Sequence, residues 1–593
     1  APVTGDVTPV VNWGDANDLV VGDTASGSLQ IEPPGTAVRS ASGWLGLTTG
    51  GVGSATVTGR GASWVMNGSL VIGASGSGSL TLANSGVVSV GTNGLGLVEL
   101  GRNPGAVGVI NIGTAPGSVA ADAAGVLDAA EVRFGAGRGT LNFNSVSMVL
   151  FNSALVSSAA GRHQLNHYAG ITRLLGDSAR FNGDTTVSGG ELRILNVLGT
   201  EEGRIDAGAA ADATARVNVS NSGSTWALTG NLFVGGAGPA ELSVANSGTV
   251  SNQFATVDAQ WNDTASVAIS DAGSRWVNRA ALLVGSEGGR GAVSILAGGY
   301  VSSVDGVIGR LQNGNGTLLV TGRGSTWANA RELRVGDVEG QGTLMVEGAG
   351  SVSNGDSVVG SMSGSGNVIV RGAGSLWNNS GAMTLGFGVG TGAGSLTIAQ
   401  GGVVNVGASN TGSVSLAKDS LLFYRTSGTI NIGAPVGQAA VGAGTLNAGD
   451  ILFGAGNATV NFNHSDTAYA FATRLASVGN GSHRLNQIAG TTRLTGDSGA
   501  FQGKTTVSGG RLVVLNQLGG AAEVTGGTLQ YGDATTGAAN RLAGDLQVSG
   551  TGSTLAVQGT ASLGVAGNVG MADHTILDLT AGTHGAALRA DTV

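Results

Sequence analysis

The sequence predicts an all-β chain, a right-handed parallel β-helix (solenoid) forming a single elongated domain. Three observations predict it. Glycine supplies 109 of the 593 residues, far above its usual share of about 7%, yet it follows no Gly-X-Y period. The motif Gly-(Ser/Ala)-x-Trp occurs five times, and its last four tryptophans, Trp226, Trp276, Trp327 and Trp377, stand 50, 51 and 50 residues apart. Segments such as Leu80/Leu82, Leu242/Val244, Val293/Ile295 and Leu396/Ile398 alternate at period two, the pattern of a strand with one buried face.

Composition bounds the rest. Charged residues are 11% of the chain and hydrophobic ones 41%, so there is apolar content for a core and no reason to expect disorder. The net charge is −9 with no run of Lys or Arg; nucleic acid, which needs clustered positive charge, is not an expected partner. Cysteine is absent, which removes disulfides, thiol catalysis and thiolate metal sites. No apolar run approaches the roughly 18 residues of a membrane helix, so no direct membrane insertion is expected. Ala1-Pro2 lacks the basic start and apolar stretch of a signal peptide, and any such signal is expected to have been removed.

Taken in chain order, residues 1–50 are expected to cap and start the helix, and 51–107 hold the first Trp unit, Gly61 to Trp64. Eight residues after each motif tryptophan stands an apolar residue followed by Gly: Ile72-Gly73, Val234-Gly235, Val284-Gly285, Val335-Gly336 and Leu385-Gly386. Residues 108–199 form the first copy of a longer repeat, 200–427 four tandem units of about 50 residues, 428–519 the second long copy, and 520–593 the closing turns. The long copies correspond through Gly108-Val109-Ile110-Asn111-Ile112-Gly113 and Gly428-Thr429-Ile430-Asn431-Ile432-Gly433. Within a tandem unit, Gly316, Gly342 and Gly366 open similar strands, so each unit is two turns of about 25 residues. One such turn cannot bury its apolar face alone; stacking does it. Dividing the length by that turn gives about 24 turns and a rod of roughly 110 Å.

The segments Gly183 to Leu192 and Gly503 to Leu512, of the form Gly-x-Thr-Thr-Val-x-Gly-Gly-x-Leu, resemble the strand repeat of autotransporter passengers of Gram-negative bacteria (type V secretion). The Gly-Ser-x-Trp units resemble a repeat common in the same proteins. The resemblance implies a right-handed β-helix carried to the cell surface by a C-terminal translocator barrel, here expected to be absent from the chain. It also gives a reason for the missing cysteines, since periplasmic disulfides obstruct export of an unfolded chain.

Candidate chemistry is sparse. Gly496-Asp497-Ser498-Gly499 matches the nucleophile string of chymotrypsin-like proteases, but the other long copy reads Gly176-Asp177-Ser178-Ala179, a drifting repeat corner, and a triad is recognised by geometry and not by a tetrapeptide. No catalytic residue is assigned. His163 and His167 share a strand face, where a surface metal site is conceivable, but no third ligand accompanies them, so no metal or cofactor is expected. The five motif tryptophans are expected to cover neighbouring turns. Aromatics and arginine outside the motif are better recognition candidates, because such residues are enriched in interface hot spots: Trp44, Trp261, Tyr300, Tyr424 and Arg425, with Trp13 and Phe423 beside them.

The expected function is therefore binding without catalysis, by a surface-exposed or released passenger acting as a virulence factor. The expected partner is a host extracellular or serum protein, in adhesion or in immune evasion by capture of a complement regulator. Flat faces of a rod suffice for an interface of about 800 Å² per partner. Self-association into an aggregation or biofilm rod is the alternative, and a protease or polysaccharide lyase a third reading.

Overall fold

The computed structural model describes residues 3–8, 14–33, 37–117, 121–158, 161–208, 214–260, 263–418, 426–536, 539–581 and 587–592. These are almost entirely strand, stacked in parallel as a β-solenoid of about 22 turns, slightly fewer than division of the length gives. The described residues include two short 3₁₀ turns, Thr92–Gly94 and Ala408–Asn410. Contacts divide the chain into two compact units, Ala1–Ala280 and Ala281–Val593.

Unit 1 begins with a departure from parallel pairing. Val3–Gly5 runs antiparallel to Ser26–Ile31, and Val7–Thr8 antiparallel to Leu19–Val21. This hairpin-like start covers the first coil, so its edge is paired at once. From there each turn has three strands, for example Val107–Gly113, Val126–Asp128 and Glu131–Phe134. Ala37–Ser40, Ser63–Met66, Val87–Val90 and Val126–Asp128 stack as one parallel face.

Unit 2 shows the residue-on-residue register most plainly. Leu318, Leu344, Val368, Leu396, Ile430, Val460 and Leu485 form one column through successive turns, and none is measurably exposed. Gly316, Gly342, Gly366, Gly394 and Gly428 form a second. The period-two alternation read from the sequence is thus the inward and outward alternation of a stacked strand.

The five motif tryptophans are fully buried, and they explain why the sequence repeats every two turns. Trp327 is in register with Val301 below and Val352 above, and Val352 with Trp377, which meets Val404. In unit 1 the column reads Leu198, Trp226, Val250, Trp276. Large and small alternate, because turns about 4.8 Å apart leave room for an indole only when its neighbours are smaller. Each indole Nε1 also donates to a polar side chain on the preceding turn: Ser40 (3.1 Å), Thr200 (3.1 Å), Asn252 (2.8 Å), Ser303 (3.1 Å) and Asn354 (2.7 Å). The acceptor always lies two residues beyond the tryptophan's register partner, so a slipped strand loses the bond.

The glycine that follows the apolar residue in each unit marks a corner. Gly336 has φ +71, and a Cβ there would lie 2.1 Å from the Ser365 carbonyl oxygen; Gly235, at φ +96, would meet the Asp258 carbonyl at 2.2 Å. Backbone of the next turn passes where any side chain would begin. Corners also hold non-glycine residues at positive φ, among them Val338 at 46°, an unfavourable choice for a β-branched residue.

These features give three stability predictions. Gly336→Ala should cost several kcal/mol and lower the melting temperature sharply, whereas Val338→Asn should add about 1 kcal/mol. Trp276→Phe, which keeps the ring and strands the Asn252 acceptor, should cost about 1–3 kcal/mol, with faster amide exchange in the strands Thr249–Asn252 and Arg275–Asn278. An unchanged exchange rate in those strands would refute the register role.

Candidate binding surface

Because the interior takes the apolar residues, chemistry has to be sought on outward faces and where a coil departs from its repeat. The two long copies show both. Their inward residues correspond almost one for one: Ile110 and Ile430, Phe134 and Phe453, Phe143 and Phe462, Phe181 and Phe501, Leu192 and Leu512, all buried. An outward ladder is shared too. Asn111 donates to Thr81 (3.2 Å), Asn142 to Asn111 (2.8 Å) and Asn166 to Asn142 (3.0 Å); in the second copy Asn431 donates to Thr397 (3.2 Å), Asn461 to Asn431 (2.8 Å) and Asn486 to Asn461 (2.8 Å). Each interior amide of these ladders both gives and takes one bond, so polar side chains are satisfied turn by turn.

In unit 2 this ladder floors a groove. Ile369, Thr397 and Asn431 are register neighbours on the strands Ser365–Arg371, Ala393–Ala399 and Ser427–Gly433. Residues 434–441 form a lip beside them, and together they enclose about 540 Å³. The lip is tied down by Asn463, whose Nδ2 donates to the carbonyls of Pro435 (3.1 Å) and Gln438 (3.0 Å). Arg371 is on the wall but is paired with Glu347 at 2.7 Å. The lining is therefore amide, hydroxyl and aliphatic, with its one cation already neutralised.

The recognition candidates from the sequence are placed as follows. Trp44 is half-buried on the strand Gly43–Leu45, between Val20 and Val71; its Nε1 donates to Asp18 (3.3 Å), and the Arg102 guanidinium lies 5.0 Å from its ring, braced by Glu99 at 2.5 Å. Its bonds are intramolecular, and its outer edge remains accessible. Tyr300 opens the strand Tyr300–Ser303 opposite Thr326 and is half-buried. Trp13, Trp261, Phe423, Tyr424 and Arg425 lie outside the described residues.

The histidines correct one expectation. His163 and His167 do share a face, but it points inward and both are buried. His163 bonds Ser157 Oγ (2.9 Å) and the Gly135 carbonyl (2.9 Å), so its ring nitrogens are occupied; the surface metal site is not there. Among the described residues no three His, Cys, Asp or Glu side chains gather as metal ligands. Ser498 is also buried, its Oγ accepting the Leu475 amide (3.2 Å), and Ser178 treats Leu155 identically (3.0 Å). Both are corner braces.

Sequence reasoning missed the groove and the outward differences between the long copies. Val146, Met148 and Leu150 of unit 1 correspond to Ser465, Ala468 and Ala470 of unit 2 through their equivalent pairings. His464 stands where the first copy has Ser145; it is buried beside Tyr469, with Nε2 on Thr492 Oγ1 (2.8 Å) and ring centroids 5.1 Å apart. Burial lowers the His464 pKa and raises that of Tyr469. An alignment of the two copies by residue type alone would have flagged these positions.

No family model matches the chain. A curated relative, an uncharacterized lipoprotein, YdeK, of Escherichia coli (strain K12), is 37% identical over 130 residues, which is 22% of this chain and 9% of that protein. The matched stretch spans less than a tenth of the relative's length.

His167 yields a pH prediction. Its Nδ1 donates to the Gly189 carbonyl (2.8 Å) while Nε2 meets no partner, and burial lowers its pKa from 6.5 to about 4. The unfolded chain accepts a proton that the folded chain resists, so this stability is full above pH 6.5 and is lost as pH falls from 6.5 towards 4, by about 3 kcal/mol. His167→Gln, the residue found as Gln487 in the second copy, should flatten the melting temperature over that range. An unaltered acid limb would show that another group titrates.

Proposed function

We propose that the chain is a passenger of the autotransporter kind, displayed on or released from the surface of a Gram-negative bacterium, and that it works by binding a host extracellular or serum protein. The observation that carries this reading is the division of labour between faces. Most inward residues are kept from copy to copy, while outward residues beside the shared Asn ladder change in size, as at Met148 and Ala468 or Leu150 and Ala470. A face freed from the core's demands and individualised in this way suits recognition.

Further support comes from the repeats and the solenoid itself, which fit a passenger, and from the partial likeness to a protein described as a lipoprotein, which agrees with a place at the cell envelope. No helix among the described residues is long and apolar enough to cross a membrane. The neutral groove of unit 2 offers aliphatic surface with amide and hydroxyl groups among it, the chemistry of a protein surface more than of a strongly charged polymer.

The test is direct capture. The purified chain, immobilised and exposed to serum and to solubilised host-cell surface proteins, should retain a host protein with a dissociation constant in the micromolar range or tighter, confirmed with that protein purified. Retention of no host protein, with concentration-dependent oligomers in sedimentation, would replace the reading by self-association.

A further inference from the structure

The outward row Val146, Met148 and Leu150 stands apart from the rest of unit 1. These side chains are 70%, 56% and 55% exposed; Val52 and Val126 are exposed singly on other strands of unit 1, whereas here three follow one another at alternate positions. All point outward from the strand Arg138–Phe151; the register shifts between Asn144 and Met148, so Val146 stands at the bend, and Met148 and Leu150, about 6.6 Å apart, share the face that follows it. The second copy carries Ser465, Ala468 and Ala470 there, in a coil whose strand is interrupted between Asn463 and Tyr469, so the repeat does not demand large apolar residues at these positions.

Beside the row is an arginine that no acid among the described residues pairs with. Arg173 is the register neighbour of Leu150; its Nε is buried and meets no acceptor. Its equivalent in the second copy, Arg493, is the register neighbour of Ala470 and is held by Asp533. The next outward residue, Arg193, adds a second cation where the second copy has Val513, and it pairs with Glu191 (2.8 Å). So where the second copy has small residues and an ion pair, unit 1 has an apolar row ending at an arginine that no described acid pairs with.

We infer that the Val146–Met148–Leu150 row with Arg173 is a docking surface for an extended segment of a partner protein carrying apolar side chains at alternate positions and a carboxylate beside them. The inference rests on the protein-binding reading and gives it a location and a partner chemistry. Extended chain is specified because its own alternate side chains repeat at the spacing of the row. The carboxylate is specified because no described acid pairs with Arg173 as Asp533 pairs with Arg493, and a guanidinium forms strong, charge-assisted hydrogen bonds to a carboxylate.

The experiment uses the whole chain and a random linear-peptide phage library as probe. Wild type should enrich peptides with alternating apolar residues and an Asp or Glu. The triple variant V146S/M148A/L150A, whose residues the second copy already tolerates, should lose about tenfold or more in affinity for them at an unchanged melting temperature. Arg173→Glu should lose the acidic peptides and select Lys or Arg in place of the acid. Peptides that bind the triple variant equally well, or lack an acid and ignore Arg173→Glu, would overturn the inference. So would wild-type dimers that the triple variant abolishes, which would make a second copy the occupant. Asp212 lies outside the described residues; if Asp212→Asn and Arg173→Gln lower the melting temperature equally and non-additively, the guanidinium's acid is internal and the inference fails. A host protein captured equally by wild type and triple variant would remove this surface and leave the protein-binding reading standing.

Discussion

Every feature of this protein depends on one constraint: successive turns hydrogen-bond strand to strand in parallel, residue over residue, at a fixed spacing of about 4.8 Å. That spacing is set by the backbone and is indifferent to side chains. Side chains must therefore solve the same packing problem at every level of the stack, with like positions lying directly over one another. Columns of Leu, Val and Ile solve it by being alike; the Trp column solves it by alternating with Val and Leu. Glycine is abundant because corners place one turn's backbone where another's Cβ would sit.

The same constraint disposes of polar groups. A buried amide or indole N–H costs stability unless it is bonded, and in a stack the nearest partner is one turn away. Indole to Ser, Thr or Asn, and Asn to Asn, are the recurring solutions, and both tie a strand to one register. Ion pairs such as Arg216 with Glu241 and Arg331 with Asp305 also join neighbouring turns on the outside. Exposed as they are, each contributes little by itself. What holds the coil is the continuous interior, which is how a chain without cysteine is stable.

Function is separated from stability by this geometry. The inward face is dictated by its neighbours above and below, whereas the outward face has no such obligation and is free to differ between copies. The two long repeats make the separation visible inside a single chain: they agree at Phe143 and Phe462 and disagree at Leu150 and Ala470. His167, committed to the interior and bonded to the Gly189 carbonyl of the next turn, is replaced by a buried Gln487 whose amide donates to the nearby Ala489 and Gly490 carbonyls, so the position belongs to the structural side of the division.

The sequence by itself determined the architecture. Period-two alternation, the 50-residue Trp spacing and the apolar-Gly corners each report a contact between a residue and its own repeat, and a repeat is visible without coordinates. It also placed the motif tryptophans in the interior and dismissed Ser498 as a corner residue. Only the tertiary structure decided what lies outside. Trp44 looked free because nothing in its neighbourhood along the chain resembles Asp18 or Arg102, which reach it from other turns. His163 and His167 looked like a surface pair because strand alternation says that two residues share a face but not which face is buried. The groove at Ile369, Thr397 and Asn431, and Arg173 beside Leu150, arise between residues about 20–35 positions apart. Contacts of that kind are fixed by how turns stack and by where a loop leaves the coil, and no local pattern encodes them.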